Sequence, residues 1–335
     1  MISQRFSSAV GLSAAVAMLS LAGWGSLGVA LGMRTRLDKL PITAVSATLS
    51  PHPSLTPGKS GRLIIVATGS DGKTWTTVGP GRGAVLFDSF TFESAVVKVN
   101  GSGVVSLPSD PRVSSGKTAH VHVAVVGHPD VVTDLDIPLQ YNVAYAAHFS
   151  GASGNDGFDG TDGVAGLDGT SGSIDPNNPQ PGGNGSNGSS GSDGSTGGNG
   201  WPGETVHVWV TLQPGPAPLI QVRAQGTTVD RYFLIDPNGG SLSLDANGGA
   251  GGRGGRGGKG GRGGSGGIGS PNGTSGFAGT DGSDGQPGSG GPAGKIIVTV
   301  DPSAQVYLNR LHFSARGAFG SSAPEFHTES VPPLW

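Results

Sequence analysis

The sequence predicts an all-β protein that also contains polyglycine-II helices: a β-sandwich, then a second β unit that carries two antiparallel hairpins of such helices. Three observations lead to this fold class. Short β-branched runs alternate with turn clusters in residues 42–147 and again in 148–316. Glycine, 64 of the 335 residues, recurs at every third position in four long runs. Helical periodicity of useful length is absent from the sequence.

Composition restricts the class of protein. Hydrophobic residues make up 34% and charged residues 13% of the chain, so one large apolar core cannot extend along its whole length. The formal net charge is −3, without the basic excess that a nucleic-acid partner would need. Cysteine is absent, which excludes disulfides, thiolate zinc sites and cysteine catalysis.

Residues 1–33 are predicted to be an export signal or a hydrophobic anchor. A polar start with one arginine precedes an apolar stretch over residues 7–21. Residues 21–23 resemble the lipobox of bacterial lipoproteins, but Trp24 occupies the position of the lipid-bearing cysteine. A retained membrane helix over residues 8–33 is the alternative, although the basic residues after it would then lie on the exported side. We expect an extracellular or cell-envelope protein that contacts a membrane only through this segment, if it stays uncleaved.

Residues 42–147 have the pattern of a β-sandwich. Their apolar runs predict strands at residues 63–66, 95–99, 120–126 and 137–143. Three stretches in this region resemble the bacterial Ig-like domains of surface proteins, namely residues 47–51, 55–60 and 63–72. The resemblance covers about a third of the chain and implies an Ig-like sandwich.

The second β unit is predicted from strand-rich segments at residues 204–247 and 295–316. Its Asp-Pro-Asn-Gly-Gly stretch, residues 236–240, has the composition of a hairpin turn. The tail over residues 317–335 is expected to be loose.

The glycine register is the strongest signal in the sequence. Each of four runs has eight glycines at a strict spacing of three in 22 residues. We name them run 1 (151–172), run 2 (182–203), run 3 (248–269) and run 4 (273–294). Equal lengths of this kind do not arise from random low complexity.

A period of three matches the threefold polyproline-II helix, which has no internal hydrogen bonds and needs outside partners for its backbone. Glycine edges let neighbouring backbones approach closely enough to supply them. A collagen-like trimer is one alternative, but prolines are few in the runs; a flexible linker is the other. Only residues 270–272 separate runs 3 and 4, so we expect an antiparallel hairpin. Run 3 is Gly-Gly-X throughout, which predicts that it lies innermost.

These runs resemble the glycine-rich antifreeze proteins of springtails and the tip adhesins of some phage tail fibres. The resemblance covers about 90 residues, residues 151–203 and 248–294 without the connecting loop, and rests on the period. It implies a bundle of polyglycine-II helices. Residues 311–317 resemble the lead-in to run 1 at residues 147–151, and Gly317 and Gly320 keep the spacing of three. This pattern predicts a strand that feeds a third, aborted glycine hairpin.

Charged side chains in the runs predict a ladder that sets their alignment. The acidic members are in runs 1 and 4, namely Asp156, Asp159, Asp162, Asp281 and Asp284. The basic members are in run 3: Arg253, Arg256 and Lys259 lie at the same distances from the start of their run as the three aspartates of run 1, and Arg262 follows one triplet later. The alternative is that these charges only keep a glycine-rich chain soluble.

Motifs that suggest chemistry are weak. Residues 68–74 resemble a phosphate-binding loop, but Ala67 replaces its first glycine and no helix follows, so a hairpin turn is predicted. His120 and His122 share a strand face near His128 without an identifiable further metal ligand. Calcium along the Asp156 row is a minor alternative. No catalytic constellation or cofactor fingerprint is present in the sequence, so we expect neither enzyme activity nor a cofactor.

The function predicted from the sequence is that of a secreted or surface-attached structural protein. Self-association through free glycine edges and contacts with cell-surface or matrix components are the expected partnerships. The alternative is an adhesin or glycan-binding module, with ice binding as a narrower form of it. Its ligand would be held by the polar loop between runs 1 and 2, through Asp175, Asn177, Asn178 and Gln180.

Overall fold

A computed structural model describes residues 34–78, 84–215 and 218–335. The predicted export segment at residues 1–33 lies outside the described residues. The described chain is predominantly β, which confirms the all-β class. It divides into two compact units. The first contains the described residues up to Val143 with Tyr232–Gly239 and Trp335, and the second contains Ala144–Arg231 and Gly240–Leu334.

The first unit contains two antiparallel sheets. One has the order β1-β2-β6-β5 with β3 paired to β2, and the other has the order β4-β7-β8. The strands are β1 (Ile42–Ser50), β2 (Ser60–Gly69), β3 (Thr74–Thr76), β4 (Phe90–Ala95), β5 (Lys98–Val99), β6 (Val104–Ser106), β7 (Ala119–Val125) and β8 (His128–Ile137). Short 3₁₀ helices lie at Phe87–Ser89 and Pro111–Val113.

One apolar core joins both sheets of the first unit. Alternate residues of β2 and β7 are buried, among them Leu63, Ile65, Val121 and Val123. This alternation is the period of two that places every second side chain on one face of a strand.

Two strand predictions in the first unit were wrong in their bounds. Residues 95–99 are not one strand, because Val96 has a φ of 71° and separates β4 from β5. At residues 137–143 the predicted strand is replaced by the end of β8, which stops at Ile137. The next residue, Pro138, has no backbone N–H to offer to a neighbouring strand. The turn between β2 and β3 is a hairpin, as expected, with Gly72 at a φ of 76°.

The second unit contains two sheets in which the chain repeats a path. In one sheet β13 (Ser241–Asp245) lies between β9 (Ala144–His148) and β15 (Leu311–Ser314), and all three are parallel. In the other, β10 (Thr205–Gln213), β14 (Lys295–Val300) and β18 (Glu325–Thr328) are adjacent and parallel, with β11 (Leu219–Gln225) antiparallel to β10. β9 therefore belongs to this unit and not to the end of the predicted sandwich region.

Two further expectations about the second unit were wrong. β12 (Asp230–Ile235) and β13 belong to different sheets, so the turn at residues 236–240 does not close a hairpin. The tail is not loose, because β18 pairs with β14 and Val331 is buried. A 3₁₀ helix at Pro302–Arg310, which the sequence analysis did not predict, precedes β15.

Candidate functional site: the four-run glycine module

The runs continue the alignment of the parallel strands. β9 leads into run 1 and β13 into run 3, and partners such as Ala144 and Ser241 are separated by the same 97 residues that separate bonded residues of runs 1 and 3. Runs 2 and 4 lead into β10 and β14, where the separation of 90 residues also persists. The sheets therefore set the register of the runs.

Backbone hydrogen bonds join parallel runs at every third residue. Register glycines of run 1 donate to carbonyl oxygens of run 3, as from Gly157 to Arg253 at 2.7 Å. Register glycines of run 2 donate to run 4, as from Gly191 to Thr280 at 3.0 Å. The two pairs form two hydrogen-bonded layers.

Antiparallel bonds connect the two layers. Run 2 donates to run 1 from Ser192 to Thr161 at 3.0 Å, and run 3 donates to run 2 from Gly258 to Ser192 at 2.9 Å. Run 4 donates to run 3 from Gly282 to Gly258 at 2.8 Å. Run 3 therefore has three neighbours, as the Gly-Gly-X pattern predicted. Run 2 also has three, which its sequence did not indicate, while runs 1 and 4 have two each.

The glycine spacing follows from how closely the backbones approach. A Cβ at any register glycine of the four runs would lie within 3.0 Å of a neighbouring backbone atom, a distance that forces the backbones apart. In run 3 the two glycines of a triplet face different neighbours: Gly251 faces the Gly288 carbonyl of run 4, and Gly252 faces the Asn155 carbonyl of run 1. The glycine edges expected to recruit a second copy are therefore occupied within the chain.

The start of a fifth run lies beside runs 3 and 4. The Arg316 carbonyl accepts from Gly248 at 2.7 Å, and the Ala318 N–H donates to Gly291 at 2.9 Å. The chain then turns back through β16 (Arg316–Gly317) and β17 (Gly320–Ser321) into β18. This path is the aborted hairpin that the lead-in sequence predicted.

The acidic rows contact the backbone of run 3. Asp156, Asp159 and Asp162 each accept a hydrogen bond at 2.7 Å, and the donors are the backbone N–H groups of Arg253, Arg256 and Lys259. From run 4, Asp284 and Asp281 accept from Gly257 and Gly260 at 2.8 and 2.7 Å. These carboxylates therefore lie at the expected heights.

The predicted ladder differs in its chemistry from these contacts. Within the described residues, no salt bridge joins the basic side chains of run 3, including Arg262, to the acidic rows. The short aspartate side chain ends beside the neighbouring backbone, where an N–H is available, whereas the long basic side chains extend into solvent. The aspartates of the acidic rows accept hydrogen bonds from backbone N–H groups of run 3 and so cap these donors. They include the Asp156 row, for which calcium binding was the alternative.

Run 2 supplies caps on two sides. Its serines accept from run 1, as Ser195 Oγ does from the Phe158 N–H at 2.7 Å. Its asparagines accept from run 4, as Asn187 Oδ1 does from the Phe277 N–H at 2.8 Å. The sequence analysis assigned no role to these side chains. The available signal was that short acceptors occupy the same triplet position repeatedly.

Polar groups of the loop between runs 1 and 2, residues 173–181, form hydrogen bonds within the loop. Asp175 accepts from the Asn177 N–H at 2.9 Å and, through its carbonyl, from Asn178 at 3.0 Å. The Ser173 and Gln180 backbones pair across the loop at 2.9 and 3.1 Å. All four predicted ligand-holding residues therefore take part in shaping the loop, Asp175 through its carboxylate and its carbonyl and the other three through backbone groups.

The histidines of β7 face acidic residues of β8. His120 contacts Asp136 at 2.8 Å and Asp134 at 3.1 Å, and His122 contacts Asp134 at 2.8 Å. The Asp136 hydrogen bond raises the pKa of His120, and the His122 hydrogen bond lowers the pKa of Asp134. His128 instead contacts the Leu37 carbonyl at 3.3 Å. The alternating aspartates at 134 and 136 were the signal that sequence analysis missed.

No metal site is evident in the described part of the chain, since no group of three or more His, Cys, Asp or Glu side chains is arranged to hold an ion. Among residues 34–78, 84–215 and 218–335, no helix has the length and apolar character needed to cross a membrane. No protein-family model matches this chain, and a search of curated proteins gives no significant match.

Proposed function

We propose that the four runs are polyglycine-II helices and that the protein is an exported structural protein with this bundle as a rigid scaffold. The lattice of backbone hydrogen bonds between neighbouring runs carries the proposal. A chain that repeats every third residue and bonds only to its neighbours has the geometry of the threefold extended helix. Bending the module would break bonds along its length, so stiffness comes from the backbone.

The contacts favour this scaffold over the two alternatives. A flexible linker would leave its N–H groups to water, whereas bonds at 2.7–3.1 Å recur along all four runs. A collagen-like trimer needs three parallel chains, whereas each run here has an antiparallel neighbour from the same chain. The side-chain caps of the acidic and serine rows satisfy further backbone donors, as a permanent lattice requires.

Two other features complete the proposal. The two antiparallel sheets around one core support an Ig-like sandwich for the first unit, and such a domain would act as a spacer. The apolar stretch at residues 7–21 supports export. A mass measurement on the protein from its native source tests export, since a cleaved signal removes the N-terminal residues.

Amide hydrogen exchange tests the scaffold directly. Register-glycine amides of all four runs are expected to exchange as slowly as those of β10 and β14, because both sets are bonded to neighbouring chains. The same glycine amides in the chain unfolded by urea serve as the control for fast exchange. Runs that exchange at the rate of an unstructured peptide would leave the flexible linker as the better description.

A tip adhesin is the second candidate function. Ile268 ends run 3 beside Gly172, and both it and nearby Ile174 are exposed. Apolar groups next to a polar loop suit a contact with a surface ligand. Binding on a glycan array that is lost in an Asn177→Ala, Gln180→Ala variant would support this function; an array without signal would argue against it.

A further inference from the structure

The outward faces of the bundle differ in charge. Run 3 presents its basic row beside the acidic rows of runs 1 and 4, and the face between runs 2 and 4 contains Asp193. The face between runs 1 and 2 is made by the first non-glycine row of run 1 and the matching row of run 2. We name it the neutral face; its side chains are Ala152, Asn155, Phe158, Thr161, Val164, Leu167, Thr170, Ser186, Ser189, Ser192, Ser195 and Trp201.

Hydrogen bonds place the two rows side by side. The Phe158 N–H donates to Ser195 Oγ at 2.7 Å, and the Ser195 N–H donates to the Phe158 carbonyl at 2.9 Å. The same exchange recurs between Leu167 and Ser186 at 2.7 and 2.9 Å. The serines are held down as caps, so the larger side chains of run 1 stand above them.

The apolar members of the neutral face are strongly exposed. Phe158 is 84% exposed, Leu167 79%, Val164 75% and Trp201 67%. The aspartate row of run 1 and the asparagines of run 2 accept hydrogen bonds within the lattice, whereas these four large apolar side chains lie in solvent. An uncharged face that exposes several large apolar side chains marks an interaction surface.

We propose that a second copy of this chain covers the neutral face, with the two bundles antiparallel about a two-fold axis. An isologous contact whose two-fold axis is perpendicular to the runs sets each row against its own copy. On the charged faces this would bring aspartate against aspartate or arginine against arginine, but the neutral face has no such repulsion. The antiparallel arrangement also brings the Phe158 end of one row against the Leu167 end of the other.

Dimensions of the face fit a stable dimer. At about 3.1 Å per residue a 22-residue run is about 68 Å long. With a width of about 10 Å for two adjacent chains, each copy would bury about 700 Å². The total of about 1,400 Å² lies within the range of specific interfaces. Members of the row recur about every 9 Å, which leaves room for a partner side chain between them.

Sedimentation velocity over a concentration series tests the pairing, which rests on the proposed scaffold. The double variant Phe158→Ser, Leu167→Ser is expected to associate at least ~10-fold more weakly than the wild type. Phe277→Ser is the matched control, because Phe277 is 79% exposed on run 4 and lies off the neutral face. A monomeric wild type, or equal weakening by both variants, would overturn the proposal.

Crosslinking tests the orientation. The chain has no cysteine, so single cysteines at Thr161 and Ala152 can be joined by a short bismaleimide. Antiparallel pairing predicts dimer crosslinks from Thr161→Cys, near the axis, and none from Ala152→Cys, at one end; crosslinks from both would refute it. Hydrogen exchange on the same samples separates the two proposals, since protected runs in a monomer reject the pairing alone and unprotected runs reject the scaffold.

Discussion

The close approach of run 3 to run 1 predicts that one added methyl group at Gly261 is destabilising. A Cβ at this position would lie within 3.0 Å of both the carbonyl carbon and the oxygen of Val164. Both atoms belong to backbone, which cannot rotate away as a side chain can. Gly290 is the matched control within the runs, because a Cβ there would meet the Ala318 Cβ at 3.2 Å. Gly261→Ala and Gly290→Ala therefore add the same group in tight and in tolerant surroundings.

The size of the effect follows from the bonds on either side of Gly261. Separating the runs stretches the 2.7 Å bonds from Gly163 to Lys259 and from Gly166 to Arg262, and the adjacent aspartate cap. Two or three lost bonds at about 1 kcal/mol each remove about 2–3 kcal/mol. The smaller entropy of the unfolded alanine chain returns about 0.4–1 kcal/mol. The net loss is about 1–3 kcal/mol, or about 3–10 °C in the melting temperature of a unit of this size.

Differential scanning calorimetry of the full chain measures both variants. Gly261→Ala is expected to lower the transition of the second unit, while Gly290→Ala leaves it within about 2 °C of the wild type or raises it. The transition of the first unit serves as an internal reference. Equal shifts for the two variants would mean that backbone proximity does not determine the glycine spacing.

Three further predictions concern side chains. If Asp159 is a cap, Asp159→Asn keeps the melting temperature because an amide oxygen still accepts, whereas Asp159→Ala lowers stability by about 0.5–1.5 kcal/mol. Ala165→Asp should add the missing cap for the Arg262 N–H and raise the melting temperature. Replacing the four basic side chains of run 3 by Gln should lower the melting temperature less than replacing them by Asp, which sets like charges beside the acidic rows, and salt should reduce the difference. NMR titration should give His120 a pKa above the ordinary value of histidine, because of its hydrogen bond with Asp136, and Asp136→Asn should lower it. The contribution of this pair to stability is therefore present below the ordinary histidine pKa and is lost as pH rises through the folded pKa.

The close packing of the runs could be predicted from the glycine period because one steric condition produces that period. Where two backbones meet, only a hydrogen atom fits beside the Cα, and this condition recurs at every third residue of a run. The three residues between runs 3 and 4 similarly leave only a reversal of direction. Strand ends were less predictable, as at Ile137, where a following proline and not loss of the apolar pattern ends pairing.

The roles of the side-chain rows could not be predicted, because a period of three defines rows without defining how each run is rotated about its axis. The rotation decides whether Asp156 meets a basic side chain or the N–H of Arg253. The rotation also decides that the serines of run 2 accept hydrogen bonds from run 1 and that its asparagines accept hydrogen bonds from run 4. The tail posed the same difficulty, since the exposed strand β18 exists only through its pairing with β14.

The same chain segments pack in two ways, through apolar side chains in the β sheets and through backbone contacts in the glycine runs. In β13 and β14 the buried side chains include Leu244 and Val298, and burial of apolar area stabilises them. Beyond buried Phe149 the chains continue in the same register, but glycine backbones touch directly and little apolar area is buried. Glycine loses more conformational freedom on ordering than any other residue, and a hydrogen bond to a neighbour replaces one to water. The runs therefore depend on the sheets, which hold runs 1 and 3 parallel to each other, runs 2 and 4 parallel to each other, and each pair in register before the lattice closes.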